Sequence, residues 1–201
     1  MKKWFYPLAL ASGLVCVGYA SFLEAAPEVP DTAFTSPPML HSKGEKTTFI
    51  SLARFEGINE NKEINVSNAS IGAAYYVTDG LGLYGQLFAT LVRGDRDNNS
   101  ADAEGVGAFF ALRWHFLRSK NWSLYMNHGI GPVLFLDDFP PGGTKLNALI
   151  QYGLGFSVRT GKSKLMQVGV RHSHISNGKG LVAENPSYDG HGLYVEVAHR
   201  F

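Results

Sequence analysis

The chain carries a single cysteine in 201 residues, and that residue, Cys16, lies in a segment that reads as a removable leader. A mature chain without cysteine has no disulfide frame and no thiol nucleophile. An excess of either charge is missing too: 18 basic and 17 acidic residues leave a formal net charge of only +1, and so no electrostatic footprint for nucleic acid. Long hydrophobic runs are also missing beyond the leader, where no stretch approaches the roughly 18 apolar residues of a membrane helix. Membrane residence, if there is any, must come from strands.

What is there begins with a secretory pattern. Lys2 and Lys3 form a basic start, Trp4 to Val17 an apolar run, and Gly18-Tyr19-Ala20 a small-x-small cleavage site. Residues 1–20 are therefore expected to be a signal peptide, with cleavage as late as Ala26. Residues 27–45 are Pro-rich and unpatterned and read as a loose leader, and residues 46–201 form the domain. From Thr47 onward the hydrophobic period is two, broken by turn signals such as Asp79-Gly80.

Eight strands are predicted, near 47–56, 65–77, 81–93, 105–117, 122–136, 146–159, 166–176 and 190–201. In most of them one face is large and apolar, as with Val106, Phe110, Leu112, Trp114 and Phe116. The opposite face is small and polar, rich in glycine, with Arg113, Arg171, Arg200 and Glu196. The first strand is ambiguous, because Phe49, Ala53 and Phe55 oppose Ile50, Leu52 and Arg54. A narrow eight-strand lumen accommodates glycines and paired polar groups better than rows of Leu, Phe and Trp, which lipid tolerates on the outside.

The expected fold class is thus all-β: an eight-stranded antiparallel transmembrane β-barrel of outer-membrane type, preceded by a cleavable signal peptide. The terminal Phe201, with Val197, Val195 and Leu193 at matching parity, resembles the C-terminal signature of bacterial outer-membrane barrels. Connections alternate between tight and long. Short turns face the periplasm and long loops the exterior, so strand seven runs outward and ends at the outer rim.

That strand carries the chemistry. Met166, Val168 and Val170 share a face with His172, His174 and Ser176. A base at His174 could activate Ser176 as a nucleophile toward an ester. Such a base needs a third group to hold its tautomer. Parity puts His191 and Asp189 on the same outer face of the last strand, which makes Asp189 the candidate acid and Glu184 in the loop the second choice. Asn177, Gly178 and Gly180 follow the serine and could hold an oxyanion. His172 reads as a headgroup or neighbour contact, and His191 as a weaker rival base. His128 falls on the apolar face without an account, and Arg93, Arg96 and Lys179 are open candidates for gripping sugar phosphates.

Here the sequence resembles a family, the outer-membrane lipid A 3-O-deacylases. Their pattern is His-x-Ser-Asn-small-Gly, then an Asn-x-Gly-x-acid run. This chain has His174-Ile175-Ser176-Asn177-Gly178-Lys179-Gly180, then Asn185-Pro186-Ser187-Tyr188-Asp189. Aspartate stands where the family has glutamate, one residue later, and the second glycine of the first motif is shifted by an inserted residue. The resemblance implies a serine esterase without metal or cofactor, acting on the 3-O-linked hydroxyacyl ester of lipid A from the outer leaflet. Its implied partners are lipopolysaccharide and outer-membrane lipid, with homodimerisation left open. The alternative is a non-enzymatic barrel of adhesin or structural type, in which His174 and Ser176 only touch headgroups.

Overall fold

The computed structural model describes residues 39–96, 99–178 and 185–201; the signal segment, Gly180 and Glu184 lie outside them. Eight long strands form the wall: β1 (Lys46–Gly57), β2 (Ile64–Thr78), β3 (Leu81–Arg96), β5 (Ala103–Arg118), β6 (Trp122–Phe139), β7 (Thr144–Arg159), β8 (Lys164–Ser176) and β9 (Ser187–Arg200). A two-residue strand, β4 (Asn99–Ser100), only extends the outer end of β3. Every pairing is antiparallel, and β1 closes the ring by pairing with both β2 and β9.

The closure is staggered, as a barrel requires. A row of cross-strand partners starts at His174 and runs through Ile150, Ile130, Phe110, Gly85, Ala73, Thr48 and His199. It returns to β8 at Lys164, ten residues nearer the inner end. Strand tilt thus lifts the outer end of β8 to the rim, where the candidate residues lie.

Facing follows the period of two. Phe109 and Phe110 are neighbours in sequence, yet the first is 2% exposed and the second 63%. Ile50, Leu52, Ile71, Leu87 and Leu193 are likewise exposed, a girdle that only lipid can cover without cost. The ambiguous first strand is resolved, with Phe49 and Phe55 inside and Ile50 and Leu52 outside.

The lumen differs from the small, polar interior expected. It holds Arg113 paired with Glu196 at 3.1 Å and bonded to Gln167, with the guanidinium 3.9 Å from the Tyr84 ring. Around that pair, however, pack buried rings of Phe49, Phe88, Phe109, Tyr125, Phe135 and Tyr194. Glycines on adjacent strands make the room: a Cβ at Gly155 would strike the Tyr125 ring, and one at Gly107 the Phe88 ring. Large inward rings are admitted because the wall beside them has no side chain.

The inner end is stoppered by residues 39–45. Leu40 and His41 are fully buried. Gly80 and Arg118 donate hydrogen bonds to the backbone carbonyls of this segment, and Glu45 takes a two-pronged pair from Arg200 at 2.6 and 2.8 Å. These residues fall in the stretch that has no period in the sequence, yet they contribute core side chains.

Candidate active site

The site is built by one hairpin. β8 ends at Ser176 and β9 begins at Ser187, and their register sets His174 opposite Asp189 and Ser176 opposite Ser187. Directly opposed residues share a face with Cβ atoms about 4.5–5.5 Å apart, close enough for an imidazole to reach a carboxylate. His174 Nδ1 lies 2.9 Å from Asp189 Oδ1, and His174 Nε2 lies 3.1 Å from Ser176 Oγ. A carboxylate that accepts the Nδ1 hydrogen leaves Nε2 bare, so Nε2 accepts the hydroxyl hydrogen of Ser176.

All three side chains stand on the outer wall. On β7 the partners of Ser176, His174 and His172 are Ala148, Ile150 and Tyr152, on the same lipid-facing side as the half-exposed Leu154. Ser176 is 8% exposed, while the side chains of His174 and Asp189 keep 19% and 26%. The nucleophile candidate is therefore nearly covered, while the base and acid beside it stay partly open. Asp189 is held further by its surroundings: Ser187 Oγ donates to Oδ2 at 3.4 Å, and the Asp189 carbonyl accepts from the Ile58 N–H.

Beyond the serine the chain turns at Gly178, whose φ of +74° favours glycine. Asn177 is buried, and neither its Oδ1 nor its Nδ2 has a hydrogen-bond partner among the described residues. An orphaned buried amide is costly unless something else meets it. Gly180 and Glu184, the further oxyanion candidate and the alternative acid, are outside the described residues.

The remaining candidates have the following surroundings. His172 makes a neighbour contact, with its Nε2 3.3 Å from Asp189 Oδ1, the oxygen that His174 also uses. The signal was present, because diagonal neighbours on one sheet face come within reach of long side chains. His191 packs edge-on against His172 at 5.1 Å between ring centres. The unexplained His128 pairs in register with Tyr152, which contacts the His172 ring at 4.9 Å. Arg93 and Arg96 are engaged, with Glu104 at 3.0 Å and Glu60 at 2.6 Å, and Arg96 also reaches the Ser187 carbonyl. They buttress the rim rather than offer open cations. Among the described residues no His, Cys, Asp or Glu cluster has the geometry to hold a metal ion.

The chain is similar in fold to the outer-membrane enzyme PagL, at 19% identity and a TM-score of 0.56, covering 74% of this chain and 97% of that one. It is also similar to neisserial surface protein A, at 13% identity and a TM-score of 0.60, covering 79% and 100%. A third structure, OprG from Pseudomonas aeruginosa, matches at 13% identity and a TM-score of 0.53, covering 80% and 97%. No curated protein matches the chain. These structural likenesses establish the β-barrel fold, an architecture shared by unlike activities. The family description that matches is narrower: lipid A 3-O-deacylase (PagL), over residues 68–198. With that match spanning well over half of its length and including the β8–β9 hairpin, the chain belongs to the lipid A 3-O-deacylase (PagL) family.

Proposed function

We propose that the protein is a serine esterase of the outer membrane that hydrolyses the 3-O-linked hydroxyacyl ester of lipid A. The observation that carries the reading is the line Asp189–His174–Ser176, joined at 2.9 and 3.1 Å on the lipid-facing wall at the outer end of β8. Family membership supplies the substrate class.

The chemistry runs in two halves. Ser176 Oγ attacks the ester carbonyl while His174 Nε2 takes its proton, and Asp189 steadies the imidazolium that forms. The oxyanion is met by Asn177 with the backbone N–H groups of Gly178 or Gly180. Collapse of the tetrahedral species breaks the bond to the sugar oxygen, which receives the proton from His174 and leaves as a free 3-hydroxyl. Water then attacks the acyl-serine with His174 again as base, releasing a 3-hydroxy fatty acid and restoring Ser176. No deep pocket is needed, because the bilayer itself delivers the ester along the wall.

The test uses the full barrel reconstituted with lipopolysaccharide and mass spectrometry of the lipid. The expected result is loss of the mass of one hydroxyacyl chain, with the free hydroxy acid recovered. A folded barrel that leaves the lipid mass unchanged would instead support the non-enzymatic reading, and a mass gain on an acceptor would indicate acyl transfer.

A further inference from the structure

We propose that His172 is a positioning residue for the Asp189 carboxylate, a second imidazole clamped on the same oxygen that orients the base. The inference rests on the esterase reading for its kinetic consequence, but its geometric content stands apart from that reading. His172 Nε2 lies 3.3 Å from Asp189 Oδ1, beside His174 Nδ1 at 2.9 Å. The other oxygen, Oδ2, accepts from Ser187 at 3.4 Å. A carboxylate has about four lone-pair sites; here His174 and Ser187 hydrogen-bond one oxygen each, and the His172 nitrogen stands at ion-pair distance from Oδ1. Deleting one donor frees the carboxyl to rotate about its Cβ–Cγ bond, and the His174 ring loses a fixed acceptor.

The His172 ring is built for this task. It is flanked by Tyr152, with ring centres 4.9 Å apart, and by His191 at 5.1 Å. Its side chain is 12% exposed, and its Nδ1 is buried without a partner among the described residues. The proton therefore belongs on Nε2, facing Asp189, since an Nδ1–H would be left without an acceptor. Rings on either side fix the imidazole plane, and the plane fixes the donor. Glu56 on β1 is the cross-strand partner of His191. No hydrogen bond or ion pair joins it to His172 among the described contacts.

Two substitutions separate donor from packing. His172→Phe keeps a ring between Tyr152 and His191 and loses the N–H, whereas His172→Gln keeps an N–H and loses the ring. Both are assayed on barrels that retain heat-modifiable mobility, with kcat and KM measured on lipopolysaccharide. The expected outcome is a kcat lower by about tenfold for His172→Phe with KM within about twofold, and recovery to within about threefold of the parent for His172→Gln. A Phe variant as fast as the parent overturns the proposal, and so does a Gln variant as slow as Phe. The second arm is the nitrogen NMR spectrum of the histidine rings in detergent, which needs no turnover. It should show His172 protonated at Nε2, and an Nδ1-protonated ring overturns the clamp. If the parent releases no hydroxy acid, the esterase reading falls while the ring spectrum still decides this one.

Discussion

The barrel holds histidine–serine pairs at both ends, and only one of them looks out. At the inner end His41 Nε2 is 3.3 Å from Ser157 Oγ, with Glu45 3.7 Å from the other ring nitrogen, and His115 Nδ1 is 2.8 Å from Ser123 Oγ. By distance alone these pairs rival His174 and Ser176 at 3.1 Å. The inner rings stack on one another at 3.7 Å and are sealed inside the lumen, where no ester can arrive. The outer pair stands on the face that lipid covers. A histidine beside a serine is a packing motif until its facing gives it a substrate, and the same two residue types hold a stopper in place at one end and are proposed to cut at the other.

Substitutions can break or sharpen that contrast. The largest effect is expected at the outer pair: Ser176→Ala and His174→Ala should each lower turnover about 10³-fold or more while the barrel stays folded. Mass spectrometry of the lipid checks this, and near-parental turnover in either variant would remove the assigned role. Next comes Arg113→Met, which strands the buried Glu196 carboxylate and should cost about 3–5 kcal/mol of stability. Denaturant unfolding in lipid reads that loss, and the surviving folded fraction should still hydrolyse at the parental rate. Asp189→Asn should slow turnover about 10–100-fold less than Ser176→Ala does, since the hydroxyl and base remain. If Glu184→Gln proves more damaging, the acid is Glu184.

Smaller effects belong to the inner end. Ser157→Ala and Ser123→Ala should leave kcat within about twofold of the parent, because neither hydroxyl reaches lipid. Burial, with Arg113 and Arg200 nearby, pushes the His41 imidazole well below its usual value. A depressed histidine contributes stability above its unfolded value and loses it as pH falls through about 6.5 and below. His41→Phe should therefore flatten the acid side of the stability curve, read as unfolding midpoints between about pH 4 and 7.

Much of the outer wall was legible because its residues obey a period of two. Phe109 and Phe110 need nothing but alternation to be assigned to opposite faces, and the same parity puts Asp189 on the side of His174. The lumen was less legible. Whether Tyr125 or Phe88 fits inside depends on a glycine of a neighbouring strand, and register across strands is not written in either strand alone. The stopper of residues 39–45 escaped because a Pro-rich stretch has no period to read, although Leu40 and His41 are core residues. Arg93 and Arg96 looked available because their partners, Glu104 and Glu60, come from other strands and loops. His172 was placed on the correct face with a neighbour contact among its readings, but which neighbour it meets follows only from the β8–β9 register.

Facing is the claim on which the account turns, and a membrane-soluble fluorophosphonate tests it most directly. The reagent is applied to the folded barrel in bilayers and the serine peptides are then mapped by mass. The account predicts an adduct on Ser176 that disappears in His174→Ala, with Ser157 and Ser123 unmodified. Labelling of an inner-end serine with Ser176 left untouched would contradict it.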